Sequence, residues 1–238
     1  MQGVPRAESG DRDGLAACHT EHRSPQWVDR MDHPRESDEA MPRRMKLSHE
    51  EMRTRAVALA HDIVVADGVA GLTVRRVAAE LGCSVGTVYN LFRDLDDIVL
   101  HVAARVVDDL RSTLFAPGLP ADPTAGLVEI ARRYIRFSST RPKLWALVFE
   151  WRAENDRPVP RWQLERIAGL VEAVRIAAAP AFTGRADPEV IASSIEVLWA
   201  SVHGIAVLAG RGKLGFVTSA AAEALAERLI GTYLRGVA

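Results

Sequence analysis

Lysine is almost missing from this chain of 238 residues, where only Lys46, Lys143 and Lys213 stand among 30 basic residues. The arginine bias reads as coding composition, not as a functional preference. There is no excess of either charge, since the formal net charge is -1. No global field therefore demands nucleic acid or a membrane, and any such role must be carried locally. Two cysteines, Cys18 and Cys83, are too few for a disulfide framework, and a reducing cytosol fits them. No apolar segment of the signal-peptide kind follows the N-terminus, so export is not expected. The longest uncharged apolar run, 197–210, has 14 residues, short of the roughly 20 that span a bilayer. A soluble, cytoplasmic chain with no membrane partner is the expectation. No run alternates with the period of a strand, and no internal repeat is visible. Nor is there a Gly-x-Ser-x-Gly, a His-Glu-x-x-His, a phosphate-cradling glycine loop or a carboxylate pair in an acid/base setting, so an enzyme is not expected.

What is present is helical periodicity and its punctuation. Residues 1–46 are charged, dotted with proline and without apolar periodicity, and read as a disordered tail. Met31, Met41 and Met45 within it are alternative translation starts. Its Cys18, His19, His22 and His33 match no compact ligand set, and no metal site or cofactor is expected. Order begins at "SHEE", where Ser48 and Glu51 form a capping box. Met52, Ala56, Leu59 and Ile63 then recur at helical spacing. Thr73, Ser84 and Asp94 are placed to cap three further helices, and Gly82 to end one in the left-handed region. Five later segments complete an all-α chain of about nine helices: "PTAGLVEIARRYIRFSS", "KLWALVFEWRA", "RWQLERIAGLVEAVRIAAA", "PEVIASSIEVLWASVHGIAVLA" and "FVTSAAAEALAERLIGTYLRG". The domain reading is a tail at 1–46, a three-helix unit at 47–94 and a second helical domain at 95–238.

Two short helices joined across Gly82-Cys83-Ser84 make a helix-turn-helix, whose second helix is small and presents its N-terminal residues as a major groove requires. Gly86 would let that helix approach a phosphate backbone closely. Val85, Thr87, Tyr89 and Asn90 offer a methyl surface, two hydroxyls and an amide, the groups that DNA readout uses. Between Arg43 and Arg93, eight basic residues face five acidic ones, a local excess of +3. The stretch "LTVRRVAAELGCSVGTVYNLFRDLDDIVLHV" resembles the DNA-binding domain of tetracycline-repressor-type (TetR/AcrR) regulators over residues 48 to about 100. The resemblance implies a three-helix head and an all-helical ligand-binding and dimerisation domain. It assigns Thr73, Thr87 and Tyr89 to phosphates, and Arg75, Val85, Gly86, Asn90 and Leu91 to base edges or their neighbourhood, with Ser84 capping the reading helix. The family usually carries lysine at the position of Leu95, and Arg93 compensates. Cys83 stands where valine is usual, as a small packing residue.

The C-terminal half carries ten of the 14 aromatic residues. Trp199, His203 and Gly204 resemble a signature of one subgroup of these regulators. Tyr134, Phe137, Trp145, Phe149, Trp151, Trp162 and Trp199, with His203 as a polar handle, are the candidate wall of a cavity for a small hydrophobic effector. Ile191, Ile195, Leu198, Val202 and Ile205 form a second apolar stripe on the same helix, as expected of a helix between a cavity and a second copy of the chain. The leading functional expectation is a homodimeric transcriptional repressor, released from a palindromic double-stranded operator by its effector. The alternatives are an enzyme of the helical domain and an adaptor that no longer binds DNA. The adaptor would show no salt-dependent DNA affinity.

Overall fold

The computed structural model describes residues 47–151, 158–184 and 186–237. The tail with its methionines, Cys18 and histidines lies outside them. Among the described residues there are nine α-helices, three short 3-10 turns and no strand. The helices are α1 (His49–Asp67), α2 (Val74–Leu81), α3 (Val85–Leu91), α4 (Leu95–Leu114), α5 (Pro123–Thr140), α6 (Pro142–Phe149), α7 (Arg161–Ala178), α8 (Pro188–Gly210) and α9 (Ala222–Gly236).

Local chemistry starts most of them. The Ser48 hydroxyl accepts from the Glu51 amide and the Glu51 carboxylate accepts from the Ser48 amide, so both halves of the capping box form. Thr73, Ser84, Asp94 and Asp122 each accept from the backbone amide three residues on. Pro123, Pro142 and Pro188 occupy first-turn positions, where the missing N–H is no loss. Gly82 ends α2 at φ 70° and ψ 36°, a left-handed geometry that a β-carbon would strain.

Two boundaries differ from the sequence reading. α6 stops at Phe149, not at Ala153. The last helix starts at Ala222, five or six residues late, because the Thr218 hydroxyl accepts from the Ala220 amide and holds that stretch in a local turn.

Residues 46–238 form one compact unit. α5 lies at its centre, touching α4, α6, α7, α8 and α9. Ala56, Ala60, Ile63 and Val64 of α1 are buried against α2, α3, α4 and α6, so the head and the rest of the unit share one continuous core. α8 is the exception to simple burial. Among the described residues it is the one helix long and apolar enough, by length and composition, to cross a membrane, and only a third of that window is buried. The sequence count missed this because it required an uncharged run, whereas Glu189 and Glu196 interrupt a helix whose mean hydropathy stays at 1.6.

Candidate nucleic-acid interface and ligand cavity

α3 is seven residues long and is held from one side only. Val88 and Leu91, three apart, are buried at 1% and 4% exposure, with Val77, Ala78 and Phe92 in the same core. The rest of the helix is bare: Val85, Gly86, Tyr89 and Asn90 are exposed and Thr87 is half-buried. The Thr87 hydroxyl lies 2.9 Å from that of Ser84, which also caps the helix. A β-carbon built on Gly86 would meet only the Ser84 hydroxyl, at 3.7 Å. Among the described residues, packing does not require glycine there. Arg75 is exposed on α2, as is Thr73. Arg93 pairs with Asp97 at 3.3 Å and its own guanidinium remains largely in solvent.

One assigned reader is corrected. Leu91 does not reach a base edge, because it shares the inward face with Val88 and fills the head's core. Cys83 is half-buried and burial pushes its thiol above the ordinary value, which leaves it protonated and a poor nucleophile at neutral pH.

What seats the head has no signature in the residue pattern. A ring nitrogen of His49, at the start of α1, lies 3.1 Å from the Asn90 carbonyl. Arg53 of α1 meets His101 of α4 at 2.5 Å and stands over the Phe92 ring at 5.1 Å. His101 in turn stacks on Trp162 at 4.8 Å, with ring planes 15° apart. Trp162 is therefore removed from the candidate cavity wall: it closes the α1–α4–α7 junction. Phe137 is removed too. It is buried at 3% exposure, away from the cavity described next, with the Arg141 guanidinium 4.9 Å above its ring.

Of the other aromatic candidates, Tyr134, Trp145, Phe149 and Trp199 meet, and Trp151 does not join them. Tyr134 of α5 packs against Trp145 at 5.0 Å and Trp199 at 4.9 Å. Phe149 lies 4.3 Å from Trp145 and 4.9 Å from His203. The Tyr134 hydroxyl and the His203 Nδ1 share a hydrogen bond of 2.8 Å. Burial drives the Tyr134 phenol far above its ordinary value and depresses His203, so this pair is neutral at pH 7. The Trp145 indole N–H is buried with no partner. The apolar cavity bounded by Tyr134, Trp199, Leu198, Val202 and Ile230 holds only about 30 Å³. That is the room of one water molecule. The aromatic groups fill the space they were expected to line.

The two histidines give a pH prediction. His101 is held below its ordinary value of 6.5 by burial first and by Arg53 next, with Asp97 and Glu50 opposing and Arg166 adding. His203 is lowered by burial. The unfolded chain therefore binds protons that the folded one refuses. Their contribution to stability is complete above about pH 6.5, the ordinary histidine value, and is lost as pH falls through the depressed values. Tm should drop between pH 7.5 and pH 5, by about 2–4 °C for each kcal/mol lost. The double variant His101→Gln, His203→Gln should show a flatter profile in a calorimetric pH series. A slope equal to wild type would remove both groups from the account.

Residues 127–233 match a family model described as "Tetracyclin repressor-like, C-terminal domain". A curated HTH-type transcriptional regulator of Staphylococcus aureus strain USA300 is 34% identical over 64 residues, covering 27% of this chain and 35% of the relative. The chain thus matches about a third of that relative's length. A protein of unknown function from Rhodococcus sp. RHA1 superposes with a TM-score of 0.67 at 22% identity, over 82% of this chain and 98% of that one. A tetR-family transcriptional regulator from Streptomyces coelicolor gives 0.56 at 17% identity, over 80% and 90%. The multidrug binding protein EbrR, solved with ethidium, gives 0.56 at 24% identity, over 77% and 98%. Residues 127–233 thus resemble a tetracyclin repressor-like C-terminal domain, a separate comparison finds 64 residues similar to part of an HTH-type transcriptional regulator, and the fold is like that of solved tetR-family regulators.

Proposed function

We propose that this protein is a homodimeric, ligand-responsive repressor that reads a palindromic operator with α3. The observation that carries the reading is the one-sided packing of α3. Val88 and Leu91 hold it, while Val85, Gly86, Tyr89 and Asn90 stand clear of the chain. Thr73, Thr87 and Tyr89 are proposed to hold phosphates, and Arg75, Val85, Gly86 and Asn90 to face base edges, with Arg93 at the margin.

Two copies are needed to place two such helices in successive major grooves, roughly 34–36 Å apart. The stripe of Ile195, Leu198, Val202 and Ile205 is buried within the chain and does not supply the contact. The outward face of α8 does: Val190 and Val197 are 45% and 48% exposed, and Ser193, Ala200, Ser201 and Gly204 continue the face with small side chains. A β-carbon on Gly204 would meet nothing within 4 Å, so a second helix can approach closely. This apolar face is assigned to a second copy and not to a membrane, because the opposite face of α8 packs on α5 and α9.

The effector is proposed to be a small, mostly apolar or aromatic molecule with one hydrogen-bonding group. It would open the apolar cavity by displacing Trp199 or Phe149, and the Trp145 N–H or His203 would bond it. The binding of ethidium by EbrR supports a small-molecule role for this domain. An effector releases DNA only if it prefers a dimer state with the wrong head spacing. Trp199, His203 and Gly204 are retained as a proposed mark of a subgroup.

The test is a gel shift with palindromes found upstream of the protein's own and neighbouring genes, followed by a screen of hydrophobic compounds against the complex. Salt-sensitive binding to one palindrome, reversed by an apolar compound that quenches tryptophan fluorescence, is expected. Failure to bind any DNA above non-specific affinity would favour the adaptor. Release by charged metabolites alone would refute the effector assignment.

A further inference from the structure

His101 of α4 is where α1, α7 and the turn after α3 come together. Arg53 of α1 places a guanidinium nitrogen 2.5 Å from its Nε2, Phe92 meets its ring edge-on at 5.7 Å, and Trp162 of α7 stacks on it at 4.8 Å. A guanidinium only donates hydrogen bonds, so Nε2 must be the bare acceptor nitrogen of a neutral imidazole. The same nitrogen lies 3.9 Å from Oδ1 of Asp97, one turn earlier on α4. Asp97 is buried. Its Oδ1 accepts from the Arg93 guanidinium at 3.3 Å, and its Oδ2 from the Arg93 amide at 3.1 Å. Arg53, His101, Asp97 and Arg93 therefore stand in line from α1 to the turn that follows α3.

We propose that this line of side chains is an acid-sensitive latch on the head: a proton on His101 breaks its contact with Arg53 and turns the ring to Asp97. A protonated Nε2 is a donor facing a donor, and the two positive charges repel. The charges around the ring decide where it goes. Glu50 and Arg53 face it from α1, Arg166 from α7 and Asp97 from its own helix. Arg105 and Asp108 of α4 line the same groove, and Asp108 is paired with Arg166. Asp97 is the carboxylate that Nε2 already approaches, so the charged ring moves toward it and competes with the Arg93 guanidinium. Burial first, and Arg53 next, hold the His101 pKa below its ordinary 6.5 while the head is seated. Separating Arg53 from the ring raises it, so by linkage a proton favours the separated state. The side chain is 24% exposed, and the proton reaches it without unfolding. The consequence for DNA rests on the proposed reading by α3. An unseated head no longer fixes the spacing of two such helices, so operator affinity falls, while non-specific affinity, which needs only positive charge, does not.

The test compares the full-length wild type with His101→Gln, whose side-chain carbonyl accepts from Arg53 at any pH. Without DNA, NMR of the ring should show His101 titrating below 6.5, and Arg53→Gln should move that titration up, as removal of a facing charge requires. Hydrogen exchange in α1–α3, corrected for the intrinsic rate at each pH, should be faster at about pH 5 than at about pH 7.5 in wild type and level in His101→Gln. In a gel shift, wild type should lose about tenfold in operator affinity over the same interval, while its binding to unrelated DNA holds. His101→Gln should flatten that loss, and His203→Gln, in the central aromatic group, should keep it. A titration at or above 6.5, a titration unmoved by Arg53→Gln, or equal acid sensitivity of head exchange in wild type and His101→Gln would each overturn the latch. Parallel loss of operator and unrelated DNA at acid pH would overturn its action through head spacing. Absence of specific DNA binding at every pH would refute the reading by α3 and leave the ring titration and the exchange to decide the latch.

Discussion

Val197→Arg combined with Ala200→Arg is expected to yield folded monomers that no longer hold a two-half-site operator. Both positions are exposed on the outward face of α8, so arginine there meets solvent in the single chain. In a dimer the same substitutions would set four guanidinium groups against each other across a closely packed apolar seam, where unpaired buried charge is among the most damaging changes. A single head retains only its own contacts, so operator affinity should fall toward the non-specific level, which for such proteins is about 10³–10⁷ weaker. Charge at Leu225 or Leu229 of α9 is a poorer probe, because both are half-buried against this chain's own core and their replacement would also loosen the fold. Light scattering gives the mass and circular dichroism the helicity. A wild-type monomer at micromolar concentration, or a variant that remains dimeric, would remove the α8 face from the model.

The sequence was most informative where structure is decided locally. Ser48, Thr73, Ser84, Asp94 and Gly82 each do what their positions imply, because capping and left-handed termination involve atoms three or four residues apart. Leu91 was misplaced at the base edges, although its signal was local. Its spacing from Val88 sets both on one helix face, and that geometry outweighs the family role assigned to it. Trp162 was not legible. Its partner His101 is 61 positions away on another helix, and no periodicity encodes that meeting. α8 shows a subtler limit. It is apolar on two faces, so the pattern cannot say which stripe is the chain's own core. Packing on α5 and α9 decides it, turning Leu198 and Val202 inward and Val197 outward. The aromatic set was recognisable in part. Tyr134, Trp145, Phe149, Trp199 and His203 come together, but composition cannot distinguish side chains that line a space from side chains that fill it.

Leu91→Ala is expected to unfold the head, whereas Asn90→Ala and Tyr89→Ala beside it leave the fold intact. Leu91 is 4% exposed among Val88, Val77, Ala78 and Phe92. Removing its side chain leaves a cavity that a helix of seven residues, held by two buried side chains, cannot close. A buried leucine replaced by alanine costs about 2–5 kcal/mol, a large share of the roughly 5–15 kcal/mol that keeps a domain folded. Tyr89, 54% exposed, and Asn90 have little to lose on truncation. Their losses should appear in DNA binding instead. Tyr89→Ala should weaken all sequences alike, as a phosphate contact does, and Asn90→Ala should shift base preference by about 1–3 kcal/mol at one position if its amide pairs with adenine. Thermal melts and binding-site selection on the three variants separate the cases. Leu91→Ala should melt many degrees early and lose DNA binding through unfolding, with the sequence preference of its residual folded fraction unchanged. A Leu91→Ala protein with wild-type Tm and an altered binding-site profile would return that residue to the reading surface and contradict the packing of α3 described above.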